Sequence, residues 1–336
     1  MTGKTPHPRM IEIGLALYPK AQLAAIYGLT DLFQVAGRLA RGKGGAQAPI
    51  LRVSHWQVDD EGPGPEPVCV FDSHPGARNQ PGFIVLPPSL GAPPSDDLAR
   101  RLKPWLLRQH RAGAVMSSVC AGAFLLAGSG LLNGRAATTH WSYRDALAAR
   151  FPELRVDTDK LVIDDGDVIT AGGLMAWTDL GLRLVDRVLG SAAMLETARF
   201  LLVDPAGREQ RFYSIFAPQL QHGDAAILKT QHWLQAEGAR EVSIATMARK
   251  AGLEERTFLR RFTRATGMKP TEYCQHLRIG KAREMLELDN RPIDQVAWEV
   301  GYADTGAFRK VFIKVMGLTP GEYRRRFGLR QADATA

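Results

Sequence analysis

The chain has 336 residues, 45% of them hydrophobic and 23% charged, with a net charge of +8. This is the make-up of an ordinary globular protein with a sizeable core and about two domains. Its three cysteines, Cys69, Cys120 and Cys274, are odd in number, far apart and without metal-ligand spacing, which argues against a disulfide framework or a zinc site and fits a reducing cytoplasm.

The charge is unevenly spread. Residues 224–330 hold 20 Lys/Arg against 13 Asp/Glu, whereas residues 1–223 hold 23 against 21. A nucleic-acid-binding domain concentrates its surplus in this way, although a solvated basic face reads the same. Residues 1–9 have no apolar stretch, so no signal peptide is expected. Residues 112–134 carry no charge and are long enough to cross a bilayer. However, Gly113, Ser117, Ser118, Gly122, Gly128, Ser129 and Gly130 interrupt them. We read a buried strand, turn and helix there, and expect no membrane partner.

In chain order, residues 10–18 read as a short buried strand and 23–39 as a helix. A Gly-rich turn is expected over 41–48. Strands follow at 51–58 and 68–71 around a Pro/Gly loop at 62–67. Residues 82–86 form a compact apolar strand, 87–94 a loop, 98–110 an amphipathic helix and 113–119 another strand. Later come a strand at 168–170 ending in Gly172-Gly173, and helices at 178–189 and 192–203. Strands alternating with helices indicate an α/β fold on a parallel sheet. Residues 204–223 contain Pro205, Gly207, Pro218 and Gly223 and read as a linker, with room for a strand. From residue 224 the pattern is almost wholly helical.

The carboxy-terminal segment repeats itself at an offset of 49–50 residues. Ala251-Gly252-Leu253, Phe262, Gly267, Pro270 and Tyr273 match Val300-Gly301-Tyr302, Phe312, Gly317, Pro320 and Tyr323. Each copy has a short helix (244–250; 293–300), a Gly turn suited to a left-handed helix end, and a second, more basic helix. Ser243 and Asp304 are suited to cap helices through side-chain oxygens. Phe258, Phe262, Phe308 and Phe312 stand at i, i+4 spacing and read as core anchors. This is helix-turn-helix geometry twice, joined by a long helix at 272–288. With A-G-L-E-E-R-T-F-L-R-R-F, G-Y-A-D-T-G-A-F-R-K-V-F and G-L-T-P-G-E-Y-R, residues 224–327 closely resemble the AraC/XylS family. Glu254 departs from the capping Ser usual there. The resemblance implies that the second helices face the major groove with Arg256, Leu259 and Arg260 in one unit and Thr305, Gly306, Arg309 and Lys310 in the other. Arg pairs bidentately with guanine, whereas Leu259 and Gly306 offer only shape or methyl contact. Contact with phosphate alone remains the alternative for the basic residues. Arg261, Arg264 and Lys314 read as phosphate or solvent residues.

In the amino-terminal part, S-S-V-C-A-G-A-F-L-L-A follows a strand and opens a helix. That places Cys120 on a sharp elbow at a helix start, which favours thiolate. His140 follows in T-T-H-W. This order and spacing resemble the PfpI-type, class I glutamine amidotransferase-like superfamily over residues 10–200, with a flavodoxin-like parallel sheet. The whole chain resembles the GlxA-type regulators, and Gly172-Gly173 and the Thr178-Asp179-Leu180 helix start match that pattern. The enzymes of the superfamily use an acid from the first strand-helix region; here no carboxylate precedes Asp31 in that helix. They also use N–H groups of a Gly-Gly turn, where Pro88 has none to give. Ser118 replaces the first Gly of the usual elbow.

The resemblance therefore implies an effector-binding domain at 1–203, a linker at 204–223 and a DNA-binding domain at 224–330. Cys120, Ala121, His140 and Trp141 are the expected ligand contacts, with no catalytic residue, metal or cofactor. Cys120 as an inert buried residue and His140 as a structural histidine are the alternatives. An aromatic cage for a cation would draw on Trp141 or Trp177. The implied partners are double-stranded DNA, a small effector such as an amino acid or amine, a second copy in a homodimer, and RNA polymerase if the protein is an activator. The rival reading is a cysteine-dependent amidase or glyoxalase-like enzyme with an accessory DNA-binding domain.

Overall fold

The computed structural model describes residues 9–44, 48–58, 66–76, 79–205, 209–240 and 242–329. The chain divides into two compact units, residues 1–210 and 211–336.

The first unit runs β1 (Met10–Leu17), α1 (Leu23–Gly44), β2 (Ile50–Gln57), β3 (Val68–Asp72), β4 (Pro81–Leu86), α2 (Asp96–Arg111), β5 (Val115–Val119), α3 (Gly122–Ser129), β6 (Ala136–Ala137), α4 (Arg144–Arg150), β7 (Arg155–Val156), β8 (Val162–Asp164), β9 (Val168–Ala171), α5 (Trp177–Leu189) and α6 (Ser191–Leu201). Seven strands form one sheet in the order β3-β2-β1-β4-β5-β9-β8. The inner pairs are parallel and both edge pairs antiparallel. Inner strands buried on both faces read as near-continuous apolar runs rather than alternating ones, as β4 does, while β1 is broken by the buried Glu12. Helices α1, α5 and α6 pack together, as do α2 and α3. Gly181 lets α1 close on α5, since a Cβ there would lie 2.9 Å from both Leu29 and Leu32. Ser95 caps α2 by accepting from Leu98 N, and Asp96 and Asp97 begin that helix while Arg108, His110 and Arg111 end it, each matched to the helix dipole.

The parallel α/β fold is the expected one, with differences in detail. The expected turn at 41–48 is helical through Gly44, and residues 45–47 lie outside the described residues. So do residues 59–65, which hold most of the Pro/Gly loop. Between residues 130 and 167 the sequence shows no clear period, yet β6, β7, α4 and β8 lie there. Strands of two or three residues show no periodicity, and Leu147 is the only buried residue of α4. In the expected linker no strand forms among the described residues; Glu209 makes a single bridge to Lys160, and Gln210 belongs to the first unit.

The second unit is helical: α7 (Ala225–Ala236), α8 (Ile244–Ala251), α9 (Glu255–Thr266), α10 (Pro270–Leu288), α11 (Ile293–Glu299), α12 (Thr305–Met316) and α13 (Pro320–Phe327). It has two separate cores. One gathers Ile227, Leu234, Met247, Phe258, Phe262 and Tyr273; the other gathers Ile279, Leu286, Val296, Phe308, Phe312 and Tyr323. The aromatic triad is the same in both. Phe258, Phe262 and Tyr273 follow at centroid distances of 5.3 and 5.2 Å, and Phe308, Phe312 and Tyr323 at 5.6 Å each. All four Phe rings are fully buried, each contributing about 1.5–3 kcal/mol. The helix α10 gives Tyr273 to one core and Ile279 and Leu286 to the other, so it is their common spine.

Candidate nucleic-acid interface and elbow-cysteine site

Two helix pairs, α8–α9 and α11–α12, each turn at a left-handed glycine, Gly252 (φ 68°) and Gly301 (φ 86°). The buried Phe pairs fix the rotation of α9 and α12. Arg256, Leu259 and Arg260 consequently face solvent on α9, and Gly306, Arg309 and Lys310 on α12, with Thr305 half-buried. Arg309 makes an open 3.7 Å ion pair with Asp294, and both side chains stay more than half exposed. Asp304 caps α12 by accepting from Gly306 N and Ala307 N, which holds its carboxyl below the usual range. Glu254 makes no side-chain cap on α9. Thr263 and Ile313, equivalent in the repeat, are exposed one turn beyond the expected contacts. Extending the i, i+3/i+4 spacing by one turn would have included them.

Arg261 departs from its expected role. Its guanidinium donates two bonds to Asp224, at 2.9 and 2.7 Å, and Asp224 caps α7 by accepting from Ile227 N. The pair ties α9 to α7. Arg264 and Lys314 are exposed, as expected.

In the first unit the elbow is real. Cys120 has φ 53°, a region that costs a non-glycine residue about 1–3 kcal/mol and persists where surroundings fix it. Its N–H donates to Ala171 O at 2.8 Å, and its carbonyl accepts from Ala123 N and from Thr139 Oγ1. The turn closes because residue 122 is Gly: a Cβ would lie 2.3 Å from Leu86 O. Cys120 thus sits where β1, β4 and β5 end, the usual binding edge of such sheets.

The thiol is buried, and burial pushes its pKa up to about 11, against smaller opposite effects of the Ala121 and His140 backbone N–H groups. This corrects the expectation of a thiolate: desolvation outweighs the helix terminus. Cys120, Ala121 and His140 therefore do meet, but through backbone N–H groups directed at sulfur. The His140 ring is engaged at Nδ1, which lies 2.7 Å from Ser142 Oγ and accepts from Ser142 N; burial lowers its pKa. Trp141 donates its N–H to Gln210 Oε1 at 3.0 Å, and its ring lies against that of His140 at 5.2 Å. Trp177 takes no part in an aromatic group with them. It fills the α1–α5 contact, where its ring lies 2.4 Å from the position of a Cβ at Gly28. The rings around His140 are Trp141 and Tyr143, and Phe124 adjoins Tyr143.

Tyr18 was not anticipated. It follows β1, is buried, and donates to Pro87 O at 2.5 Å; burial and the nearby Cys120 raise its pKa. A phenol with its proton committed thus stands just past the first strand, the region where the resemblance implies an acid in the enzymes. Pro88 offers only its carbonyl, which accepts from Gln22 N at 2.7 Å. Among the described residues no cluster of His, Cys, Asp and Glu is arranged to hold a metal, and no helix is long and apolar enough to cross a membrane.

An elbow cysteine on a parallel sheet, followed by two helix-turn-helix units, defines a two-part protein. The DJ-1/PfpI family matches residues 77–187, and a helix-turn-helix domain family matches residues 247–326. The HTH-type transcriptional regulator GlxA of Rhizobium meliloti is 28% identical over 227 residues, 66% of this chain and 69% of that protein. ArgR, an HTH-type transcriptional regulator of Pseudomonas aeruginosa, is 30% identical over 218 residues, 64% of this chain and 66% of that protein. An isonitrile hydratase of Pseudomonas putida is 27% identical over 187 residues, 54% of this chain and 73% of that enzyme. The alignments thus span about two thirds of the two regulators. The chain is an AraC-type helix-turn-helix regulator with a DJ-1/PfpI-type domain at its amino end, the domain order of the GlxA type.

Proposed function

We propose that the chain is a cytoplasmic, effector-responsive transcription regulator that reads DNA through α9 and α12 and senses a small metabolite, an amino acid or amine, at Cys120, Ala121, His140 and Trp141, without catalysis. The observation supporting the DNA reading is the repeated exposed face, Arg256–Leu259–Arg260 and Gly306–Arg309–Lys310, held by buried Phe pairs. Support for sensing without catalysis comes from the buried thiol, whose pKa burial raises, a His140 ring whose Nδ1 is bonded to Ser142, and the Tyr18 proton donated to Pro87 O. A nucleophilic cysteine needs an adjacent base or a lowered pKa; here burial raises the thiol's pKa and His140 Nδ1 is engaged with Ser142. The protein acts as a homodimer in this reading, and contacts RNA polymerase where it activates.

The test is a thermal-shift screen of amino acids and amines, since ligands of the folded state raise its stability, followed by reporter dose-response. Cys120→Ala should keep basal DNA affinity within about twofold and lose the response. An unchanged response in that variant refutes the sensing site. A second reading, a cysteine enzyme, draws on the retained elbow geometry and the isonitrile hydratase relative. Consumption of the effector by purified protein, lost in Cys120→Ala, would establish it.

A further inference from the structure

Gln210, the last residue of the first unit, is almost fully buried and spends its whole carboxamide on the site. Oε1 accepts from Trp141 N at 3.0 Å, and Nε2 donates to Thr139 O at 2.9 Å and Thr158 O at 3.0 Å. Its backbone N–H donates to Asp159 O at 3.0 Å. The fit is close: a Cβ on Gly172 would lie 2.5 Å from Nε2. Cys120 holds the same segment at Thr139 and His140: its carbonyl accepts from Thr139 Oγ1 and its sulfur faces the His140 N–H. Residues 139–141 thus have two hydrogen-bonded clamps, one at the elbow cysteine and one at Gln210.

One peptide bond further, Arg211 opens the second unit. Within that unit Arg211 and Phe212 lie against the left-handed glycine that ends α12: a Cβ on Gly317 would meet Arg211 Nε at 2.2 Å and Phe212 at 2.7 Å. The Arg326 guanidinium stands over the Phe212 ring. Consecutive residues therefore anchor in the sensor site and beside the second recognition helix, each inside its own unit.

We propose that Gln210 is the positioning residue that couples the two units: displacement of residues 139–141 at the Cys120 site releases or re-seats its carboxamide, and the chain entering the DNA-binding unit moves with it. This rests on the sensing reading above. It requires reciprocity, because a coupling free energy acts equally in both directions, so that DNA must alter the Cys120 site.

The experiment uses the full chain, a duplex selected by it from a random pool, and N-ethylmaleimide as the probe, with labelling of the Cys120 peptide followed by mass spectrometry. In the parent, saturating duplex should change the Cys120 labelling rate about fivefold or more, the lower end of ordinary coupling. In Gln210→Ala the effect should shrink to less than twofold, with duplex affinity within threefold of the parent. Gly172→Ala should do the same by evicting the carboxamide from the opposite side. If Gln210→Ala does not fold, Gln210→Glu keeps the volume and the acceptor for Trp141 while losing both donated bonds, and gives the same reading. Failure to select any duplex refutes the regulator reading itself. Selective binding that leaves Cys120 labelling unchanged in the parent, or changes it equally in the variants, overturns the coupling.

Discussion

Cys120 shows how burial decides a chemistry that local sequence leaves open. Its neighbours in sequence place it at a helix start, which favours thiolate, yet desolvation pushes its pKa to about 11. Its alkylation rate should therefore rise about tenfold per pH unit through pH 10, because the thiolate is the nucleophile; a plateau below pH 9 would refute the buried thiol. Stability follows with a definite sign. A group raised on folding stabilises fully below its unfolded pKa, near 8.5 for a thiol, and that contribution is lost as pH climbs toward 11. Cys274, raised by burial to about 11 as well, adds to the same alkaline loss, which a melting series from pH 7 to 11 would show. On the DNA side, Arg256→Ala and Arg309→Ala should each cost about 1–3 kcal/mol on the cognate site and relax base preference in one block. Equal weakening on random DNA would make that residue a phosphate contact. The exposed arginines came from the resemblance to the AraC/XylS family, and the Phe pairs, readable as core anchors from their spacing, set the helix face on which they lie. The Arg261–Asp224 pair was not legible, since it joins residues 37 apart.

At the scale of elements, the two recognition helices start differently. Ser243 and Asp304 cap α8 and α12, while Glu254 leaves α9 without a side-chain cap. Ser243→Ala should cost about 1 kcal/mol, and Glu254→Ser should gain about as much. Asp304→Ala should lower the melting temperature at neutral pH and make no difference once acid has protonated the carboxyl, because a depressed pKa stabilises only above it. Thermal melts of the three variants in a series falling from pH 7 into acid check these signs. Long elements with a clear period were readable, α1, α2, α9 and α12 among them. The stretch from β6 to β8 was not, because its two- and three-residue strands are defined by partners far along the chain, such as Arg155 with Ala136 across β6–β7. Gln210 escaped for the same reason: nothing in residues 204–223 announces that one glutamine returns to the segments at 139–141 and 158–159.

For the whole molecule, the basic surplus of residues 224–330 should appear as a steep fall of log affinity with log salt through counterion release. Footprinting should show two adjacent, non-identical blocks per protomer, about 34 Å apart. A flat salt response or one short block would contradict a two-groove mode. That two-part plan was legible from the repeat and the elbow motif. What joins the parts was not, because a connector's role depends on where it anchors. One consequence belongs to DNA elasticity. The spine α10 has 19 residues and so spans about 28 Å at 1.5 Å per residue, shorter than a duplex turn, and it is rooted in a core at each end. With both recognition helices rooted on one spine, a mismatch between their spacing and that of successive grooves is expected to be taken up by the duplex rather than by the protein. Base steps between the two blocks then enter the affinity through their flexibility, although no side chain touches them.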